Sequence, residues 1–250
     1  MSTRPGISTI LKASLFFSEI GAVALGIVLA LRGDLLWAAG CISIAVAADM
    51  AGRAWSRRSP VPMPYFMRWV LHLPRGPQSP RGLRRILQPR SGERILEIGS
   101  GIGVHALSIA PLLLPDGSLD ALDVQQEMVE ELKRRAAESG IGNLVARQGD
   151  AQRLSYPDGT FDAAYLISVL GEISDAAAAL GELRRVLKPE GRLVIGEVVV
   201  DPDFIPLPAL PESARDTGFG YERASGPRFA YFAAFRRAAS ETPAQQGEGT

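Results

Sequence analysis

The sequence predicts an α/β protein with a doubly wound, Rossmann-like sheet, preceded by two apolar helices. From Arg94 onward, short apolar runs alternate with amphipathic stretches, and the first run ends in a glycine-rich turn. Such alternation is typical of parallel β-α-β units. Two long stretches before residue 51, each with a single charge, predict the two N-terminal helices.

The predicted elements follow one another closely after the first strand, Arg94–Ile98. In order they are helix Val104–Leu114, strand Leu119–Asp123, helix Gln126–Ser139, strand Leu144–Gln148, strand Phe161–Ile167, helix Ala176–Leu187 and strand Arg192–Val200. A short helix is expected within Pro206–Thr217, and Tyr221–Arg223 is expected to pair with Arg228–Phe235 as a hairpin. The small, polar tail from Ala238 is typical of disorder.

The composition excludes several classes of function. Lys and Arg total 27 and Asp and Glu total 27, so the chain lacks the basic excess of a nucleic-acid-binding protein. A single cysteine, Cys41, excludes an internal disulfide, and with only His72 and His105 beside it we expect no metal site.

The N-terminal apolar stretches, Leu15–Leu31 and Leu35–Met50, are separated by the turn Arg32-Gly33-Asp34. Each is near the lower length of a membrane span, about 17 residues. A cleaved signal peptide would leave the second stretch unexplained, and a buried helical pair in a soluble protein would also suit such short helices. A transmembrane hairpin explains both stretches and the turn, and it is the interpretation we favour.

Basic residues flank the apolar stretches on the side of the chain ends. This bias predicts that both ends are cytoplasmic, in a bacterial inner membrane, with the domain that follows the hairpin also cytoplasmic. The flanking residues are Arg4, Lys12, Arg53, Arg57, Arg58, Arg68 and Arg75. Glu19 and Asp49 lie at similar depth; they could face a substrate path, but we favour two acids near headgroups with Arg53 or Lys12 as partners. Small residues in the second stretch predict packing on the first stretch or on a second copy of the chain.

A proline-rich linker, Ser59–Gln78, follows the hairpin. Within it, Tyr65–Leu73 mixes aromatic and aliphatic residues with Arg68, as interfacial helices do. The same segment could equally be a lid over a pocket, and one helix could do both.

The glycine-rich turn reads Glu97-Ile98-Gly99-Ser100-Gly101-Ile102-Gly103. Glycines let a backbone come close to a ligand. The spacing G-x-G-x-G, with Val104 where a dinucleotide fingerprint needs glycine, argues against NAD. Glu97 would repel a pyrophosphate but could receive the ammonium of an amino-acid moiety.

Two further acids follow at predicted strand ends. Asp123 lies where a carboxylate accepts hydrogen bonds from ribose hydroxyls, and Asp150 lies where it could accept the adenine amino group. The three positions together match a ligand with amino acid, ribose and adenine in a row.

Four segments together resemble the successive motifs of class I S-adenosylmethionine-dependent methyltransferases, in the branch that includes the quinone-biosynthesis (UbiE-like) enzymes. They are ILEIGSGIG, LDALDVQQEMVEEL, GDAQRLSYPDGTFDAAYLISVL and LRRVLKPEGRLVIGEVVVDPDF. The resemblance covers about Ser91 to Arg237 and implies a seven-stranded sheet of order 3-2-1-4-5-7-6 with strand 7 antiparallel. The hairpin is not part of that pattern.

The resemblance also implies S-adenosylmethionine as cofactor and a set of residues that line it. These are Glu97, Gly99, Ser100, Gly101, Gly103, Asp123, Val124, Asp150 and Ala151, with Ser168 near the methionine end and Met128 behind the ribose. A general base is optional for methyl transfer. The candidate bases are Glu172, Tyr165 and His72, although Glu172 could equally be a solvated helix cap.

These expectations divide the chain into a membrane hairpin (1–57), a linker and lid segment (58–90), a methyltransferase domain (91–237) and a tail (238–250). An anchored enzyme suits a lipophilic acceptor such as a quinone precursor, a phospholipid headgroup or a lipid-like metabolite. The alternatives are a small soluble acceptor, or a non-catalytic, cofactor-binding membrane adaptor. The expected partners are the membrane and, through the hairpin, a second copy of the chain.

Overall fold

A computed structural model describes residues 7–58, 60, 62–73 and 76–238, with only the backbone described for residues 7–13 and 15–17. Its centre is a seven-stranded sheet of order β3-β2-β1-β4-β5-β7-β6 in which β7 runs antiparallel to both neighbours. This confirms the order that the resemblance implies. The strands are β1 (Arg94–Ile98), β2 (Ser118–Asp123), β3 (Leu144–Gln148), β4 (Phe161–Ile167), β5 (Leu187–Val198), β6 (Phe219–Ser225) and β7 (Ala230–Arg237).

Helices cover both faces of the sheet, as buried parallel strands require. The described helices are α1 (Ile7–Leu31), α2 (Leu35–Arg58), α3 (Pro80–Leu87), α4 (Ala106–Ile109), α5 (Gln126–Glu138), α6 (Ala176–Val186) and α7 (Leu210–Asp216). One apolar core lies under α6 and α7, and the other lies under α3, α4 and α5. The predicted tail beyond Ala238 lies outside the described residues.

Several predicted boundaries differ from the structure, among them one helix end and one strand end near the site. The helix predicted over Val104–Leu114 is only α4 followed by a 3-10 turn over Ala110–Leu113. Pro111 lies in that turn, and its missing N–H group cannot continue an α-helix. The last parallel strand ends at Val198, so Val199 and Val200, predicted as strand, lie in the following turn.

The N-terminal helices form a hairpin. Gly33 adopts φ +86° at the end of α1, and the Asp34 N–H donates to the Leu29 carbonyl at 3.0 Å, which closes the helix end in the manner of a Schellman motif. A Cβ on Gly26 would lie 3.3 Å from the Cβ of Cys41, so the two backbones approach closely. The expected packing of small residues against the first helix is therefore present.

Among the described helices, only α2 is both long and apolar enough to cross a membrane; the apolar part of α1, Ser18–Leu31, is shorter. Of the span tested in α2, 11% is buried, so α2 is mostly exposed in the described part of the chain. Large apolar side chains such as Leu36, Trp37 and Ile44 are exposed along it.

The hairpin contacts the sheet domain through Arg53. Its Nε donates to both carboxylate oxygens of Asp49, at 2.9 and 2.8 Å. Its Nη1 donates to the Asp201 carbonyl at 3.1 Å, and its Nη2 to the Val199 carbonyl at 2.7 Å. Asp49 thus has Arg53 as its partner, as we favoured from the sequence, and the loop after β5 is tied to the end of α2.

Candidate cofactor and acceptor site

The carboxyl ends of β1 to β4 meet at one edge of the sheet because these strands are parallel and adjacent. This edge brings together the ends that carry Glu97, Asp123, Asp150 and Ser168. In open α/β sheets, ligands bind outside the carboxyl ends of the strands. The four residues predicted from separate stretches of sequence therefore lie along one edge of the sheet, which we call the cleft.

The glycine loop after β1 takes left-handed backbone angles at each of its three glycines. A Cβ on Gly99 would lie 2.3 Å from the Val169 side chain, and one on Gly103 would lie 2.1 Å from Leu132. At Gly101 the nearest atom is Leu71 Cδ1, at 3.1 Å. Each glycine thus allows the left-handed backbone angle and also leaves room for a different neighbouring element, which a side chain would crowd.

Asp123 is buried at the end of β2 and fixes the glycine loop. Its carboxylate accepts hydrogen bonds from the Gly101 N–H at 2.8 Å and the Gln125 N–H at 2.9 Å. Burial raises the pKa of the Asp123 carboxyl, and these backbone hydrogen bonds oppose the shift. A carboxylate so placed has remaining lone pairs for the hydroxyls of a ribose.

The residues expected at the third ligand position, that of the adenine, lie around the end of β3. Asp150 is exposed and accepts hydrogen bonds from Gln152, whereas Ala151 is buried. Val124 is about half exposed beside the cleft, and Met128 is buried behind it in α5.

Glu97 is buried in β1, beside Tyr165 of the adjacent strand β4. Burial raises the pKa of the Tyr165 hydroxyl well above its usual value, and the neighbouring Glu97 carboxylate raises it further. Tyr165 is fully buried, so it lies beneath the cleft and not at its mouth.

Two buried hydroxyl oxygens bear on whether the cleft fits S-adenosylmethionine, because a bound ligand would give them hydrogen-bond partners. Within the described part of the chain, Ser100 Oγ and Ser168 Oγ have no hydrogen-bond partner. Ser168 also holds φ +54°, a strained angle for a residue with a side chain. Buried polar atoms without partners are costly in a folded protein, so both hydroxyls fit a site that a polar ligand completes.

The linker crosses this edge of the sheet. Gln125 Nε2 donates to the Met63 carbonyl at 2.8 Å, and Leu71 lies against Gly101. The segment Tyr65–His72 is a 3-10 helix whose Met67 is buried, while Phe66 and Trp69 are about half exposed. The segment therefore lies over the glycine loop, with Phe66 and Trp69 on its exposed side; its roles as a lid and as an interfacial helix stay predictions.

Glu172 and His72, the other candidate bases, lie on different sides of the glycine loop. Glu172 ends a 3-10 turn, Leu170–Glu172, directly after β4. His72 is exposed and lines an open cavity of about 390 Å³ together with Gly103 and Arg135. Of the three candidate bases, only Glu172 follows a strand of the cleft without being buried beneath it.

Glu197, inside the apolar strand β5, is a buried acid that the strand pattern does not reveal. Its side chain is 1% exposed, and its carboxylate accepts one hydrogen bond from the Ile205 N–H at 3.3 Å. Burial, reinforced by Asp201 and Asp203, raises the pKa of the Glu197 carboxyl to about 8. The signal in the sequence is faint, a single acid inside RLVIGEVVV.

The loop after β5 also contacts the loop that carries Glu172. A Cβ on Gly171 would lie 2.1 Å from the Asp203 carbonyl oxygen, so only glycine fits there. The loops after β4 and β5 therefore form one wall beside the cleft.

Comparison with known proteins agrees with this geometry. Residues 95–191 match the family model described as "Methyltransferase domain". The chain carries a class I S-adenosylmethionine-dependent methyltransferase domain. S-adenosylmethionine is accordingly the cofactor of the methyltransferase domain; that the glycine loop and Asp123 hold it stays a prediction.

Relatives of the methyltransferase domain include enzymes named for different acceptors. It is 35% identical over 128 residues to the ubiquinone/menaquinone biosynthesis C-methyltransferase UbiE of Saccharophagus degradans, covering 51% of this chain and 49% of that protein. It is 31% identical over 139 residues to the 27-O-demethylrifamycin SV methyltransferase of Amycolatopsis mediterranei, covering 55% and 50%. The chain thus spans about half the length of these curated relatives.

The fold is also similar to that of a solved structure. The methyltransferase domain is similar to a SAM-dependent methyltransferase from Aquifex aeolicus, with a TM-score of 0.62 and 22% identity. The match covers 70% of this chain and 98% of that one.

Proposed function

We propose that this protein is a membrane-anchored methyltransferase that acts on a lipophilic acceptor. The observation that carries the proposal is the exposed apolar hairpin, whose end is hydrogen-bonded by Arg53 to the loop after β5. That loop contacts Gly171, next to the candidate base Glu172. An acceptor dissolved in the bilayer would therefore meet the cleft without crossing water.

The residues at the carboxyl ends of the strands would hold the cofactor. In this proposal Asp123 accepts the ribose hydroxyls, Glu97 receives the ammonium group, and Ser100 and Ser168 donate to the polar atoms near them. Asp150 and Ala151 flank the adenine, with Val124 and Met128 against its ring and the ribose. Bound S-adenosylmethionine supplies an electrophilic methyl group on sulfur.

The chain's part in the transfer is to bind, orient and exclude water. Holding two reactants in line contributes several kcal/mol to a bimolecular reaction, on the order of 7–11 kcal/mol in the best cases. Leu71 and Met67 of the lid would close the cleft from outside. Where the acceptor is a phenol or a carbon acid, Glu172 would take the proton; Tyr165 is disfavoured because its hydroxyl is buried and its pKa is raised.

A quinone precursor is the acceptor that the UbiE relative favours. A soluble acceptor is the second candidate, since the relative named for 27-O-demethylrifamycin SV has a different substrate. In that case the hairpin would serve only for placement. A cofactor-binding adaptor without activity is the third, and the retained glycines and Asp123 speak against it.

The test follows radioactive methyl groups from S-adenosylmethionine into extracts. Full-length protein in membranes is incubated with a lipid extract and, separately, with an aqueous extract. Asp123→Ala, at a cofactor concentration that does not saturate it, serves as the control with weakened binding. We expect label in the organic phase. Label found only in aqueous products would refute the lipophilic acceptor and favour a soluble one. Cofactor binding without any labelled product would favour the adaptor.

A carbonate wash tests the anchor separately from the acceptor. The chain should remain in the membrane pellet at high pH, as an integral protein does. Recovery in the supernatant would refute the membrane hairpin whatever the acceptor is.

A further inference from the structure

The loop after β5 presents an apolar patch at the end of the hairpin. Val200 is 75% exposed and Phe229, in the turn before β7, is 58% exposed. The two lie close together because the Val199 N–H donates to the Phe229 carbonyl at 2.8 Å. We define this patch as Val199, Val200 and Phe229, of which Val199 is 39% exposed.

The Arg53 contacts fix the depth of the patch relative to the hairpin. Leu35–Met50 spans about 24 Å at about 1.5 Å per residue, so Arg53 lies near the boundary between hydrocarbon and headgroups when α2 crosses a bilayer. The Val199 carbonyl is 2.7 Å from its guanidinium, so Val199 lies at the same level.

Charge at this level also suits a lipid surface. Arg57 and Arg58 at the end of α2 are exposed, and so is Arg228 beside Phe229. Basic residues near an anionic leaflet contribute about 1 kcal/mol each. Apolar side chains surrounded by arginines are typical of surfaces that enter the interface of a bilayer.

We propose that the Val199–Val200–Phe229 patch rests in the headgroup and upper acyl region of the bilayer, and that Arg53 holds it there. The proposal rests on the membrane hairpin of the proposed function. It sets the orientation of the catalytic domain: the wall formed by the loops after β4 and β5 lies against the lipid, and the β3 edge of the sheet faces the cytoplasm.

Spin labels report this orientation in the full-length protein. Single cysteines replace Val200 or Phe229 in a Cys41→Ser background, and the protein is placed in nanodiscs of phosphatidylcholine and phosphatidylglycerol. The control is Val145→Cys on the edge strand β3, an apolar side chain that is 39% exposed on the edge that the proposal places in the cytoplasm. Each label is relaxed by oxygen, which enters lipid, and by a nickel chelate, which stays in water.

We expect the ratio of oxygen to nickel collisions to be at least about threefold higher at Val200 and Phe229 than at Val145. Arg53→Ala should bring those ratios toward the value at Val145, whereas Arg57→Ala should not. Equal ratios at all three positions, in protein that resists carbonate extraction, would overturn the patch and leave the anchor intact. Extraction by carbonate would instead refute the anchor.

A second readout needs no new cysteine. In nanodiscs, the amide hydrogens of residues 199–204 should exchange severalfold more slowly in the natural chain than in the Arg53→Ala variant. Unchanged exchange in that comparison would also contradict the proposal.

Discussion

Glu197 offers a measurable link between pH and stability. Its carboxyl is buried between β5 and the following loop, with Asp201 and Asp203 nearby, and its pKa is raised from 4.5 to about 8. An unfolded chain ionises this group above pH 4.5, whereas the folded chain keeps it protonated up to about pH 8. Folding must therefore retain a proton that the unfolded state loses, and this group lowers stability progressively as pH rises from 4.5 to 8.

The size of the effect follows from the two pKa values. One pH unit between them corresponds to about 1.4 kcal/mol. At pH 7 Glu197 thus costs the fold about 3 kcal/mol, and at pH 5 less than about 1 kcal/mol. Glu197→Gln keeps the shape and is neutral at every pH, so it should remove this cost. Its amide can also donate to the neighbouring carboxylates.

Urea denaturation from pH 5 to pH 8.5 measures the difference. The free energy of unfolding of Glu197→Gln, minus that of the natural chain, should grow by about 1.4 kcal/mol per pH unit and level off above pH 8. The control Glu212→Gln, at an exposed position in α7, should show no such trend. A difference that stays constant from pH 5 to pH 8 would show that Glu197 is ionised in the folded protein.

Three further substitutions test the cleft. Asp123→Ala should weaken S-adenosylmethionine binding by about 1.5–3 kcal/mol and also destabilise the backbone whose N–H groups donate hydrogen bonds to Asp123. The exposed control Asp116→Ala should do neither. Calorimetry that shows equal affinity for Asp123→Ala and the natural chain would move the ribose site elsewhere. Gly99→Ala should destabilise by about 2–4 kcal/mol in urea, partly recovered by Val169→Ala, and a neutral effect would contradict the close approach. Tyr165→Phe should keep kcat within a few-fold, and a loss of a hundredfold would restore Tyr165 as a base.

The sheet was largely predictable because its strands are marked locally. Arg94–Ile98 and Phe161–Ile167 are apolar runs bounded by turns, and their bounds agree with the structure. The order of the strands came from resemblance, since periodicity does not say which strand lies beside which. The helix after the glycine loop was overestimated because Pro111 ends it, although proline is a local signal that could have been weighed.

The location of a site residue was predictable where the residue directly follows a strand. Asp123 and Asp150 follow strands, so their location at the cleft came from topology alone. Contacts between distant residues could not be predicted in this way. Arg53 reaches carbonyls almost 150 residues away, and Glu197 is buried by a loop whose course no periodicity reveals.

The separation between Arg53 and its partners also sets an order of assembly. The Val199 carbonyl is 146 residues further along the chain, and at about 5–20 residues per second a ribosome needs roughly 7–30 s to reach it. During that interval α2 is already made, and its guanidinium has only local groups to bind. Asp49, one turn earlier on the same helix, neutralises it from the start. The i,i+4 pair thus gives Arg53 of α2 a partner until the sheet domain has been synthesised.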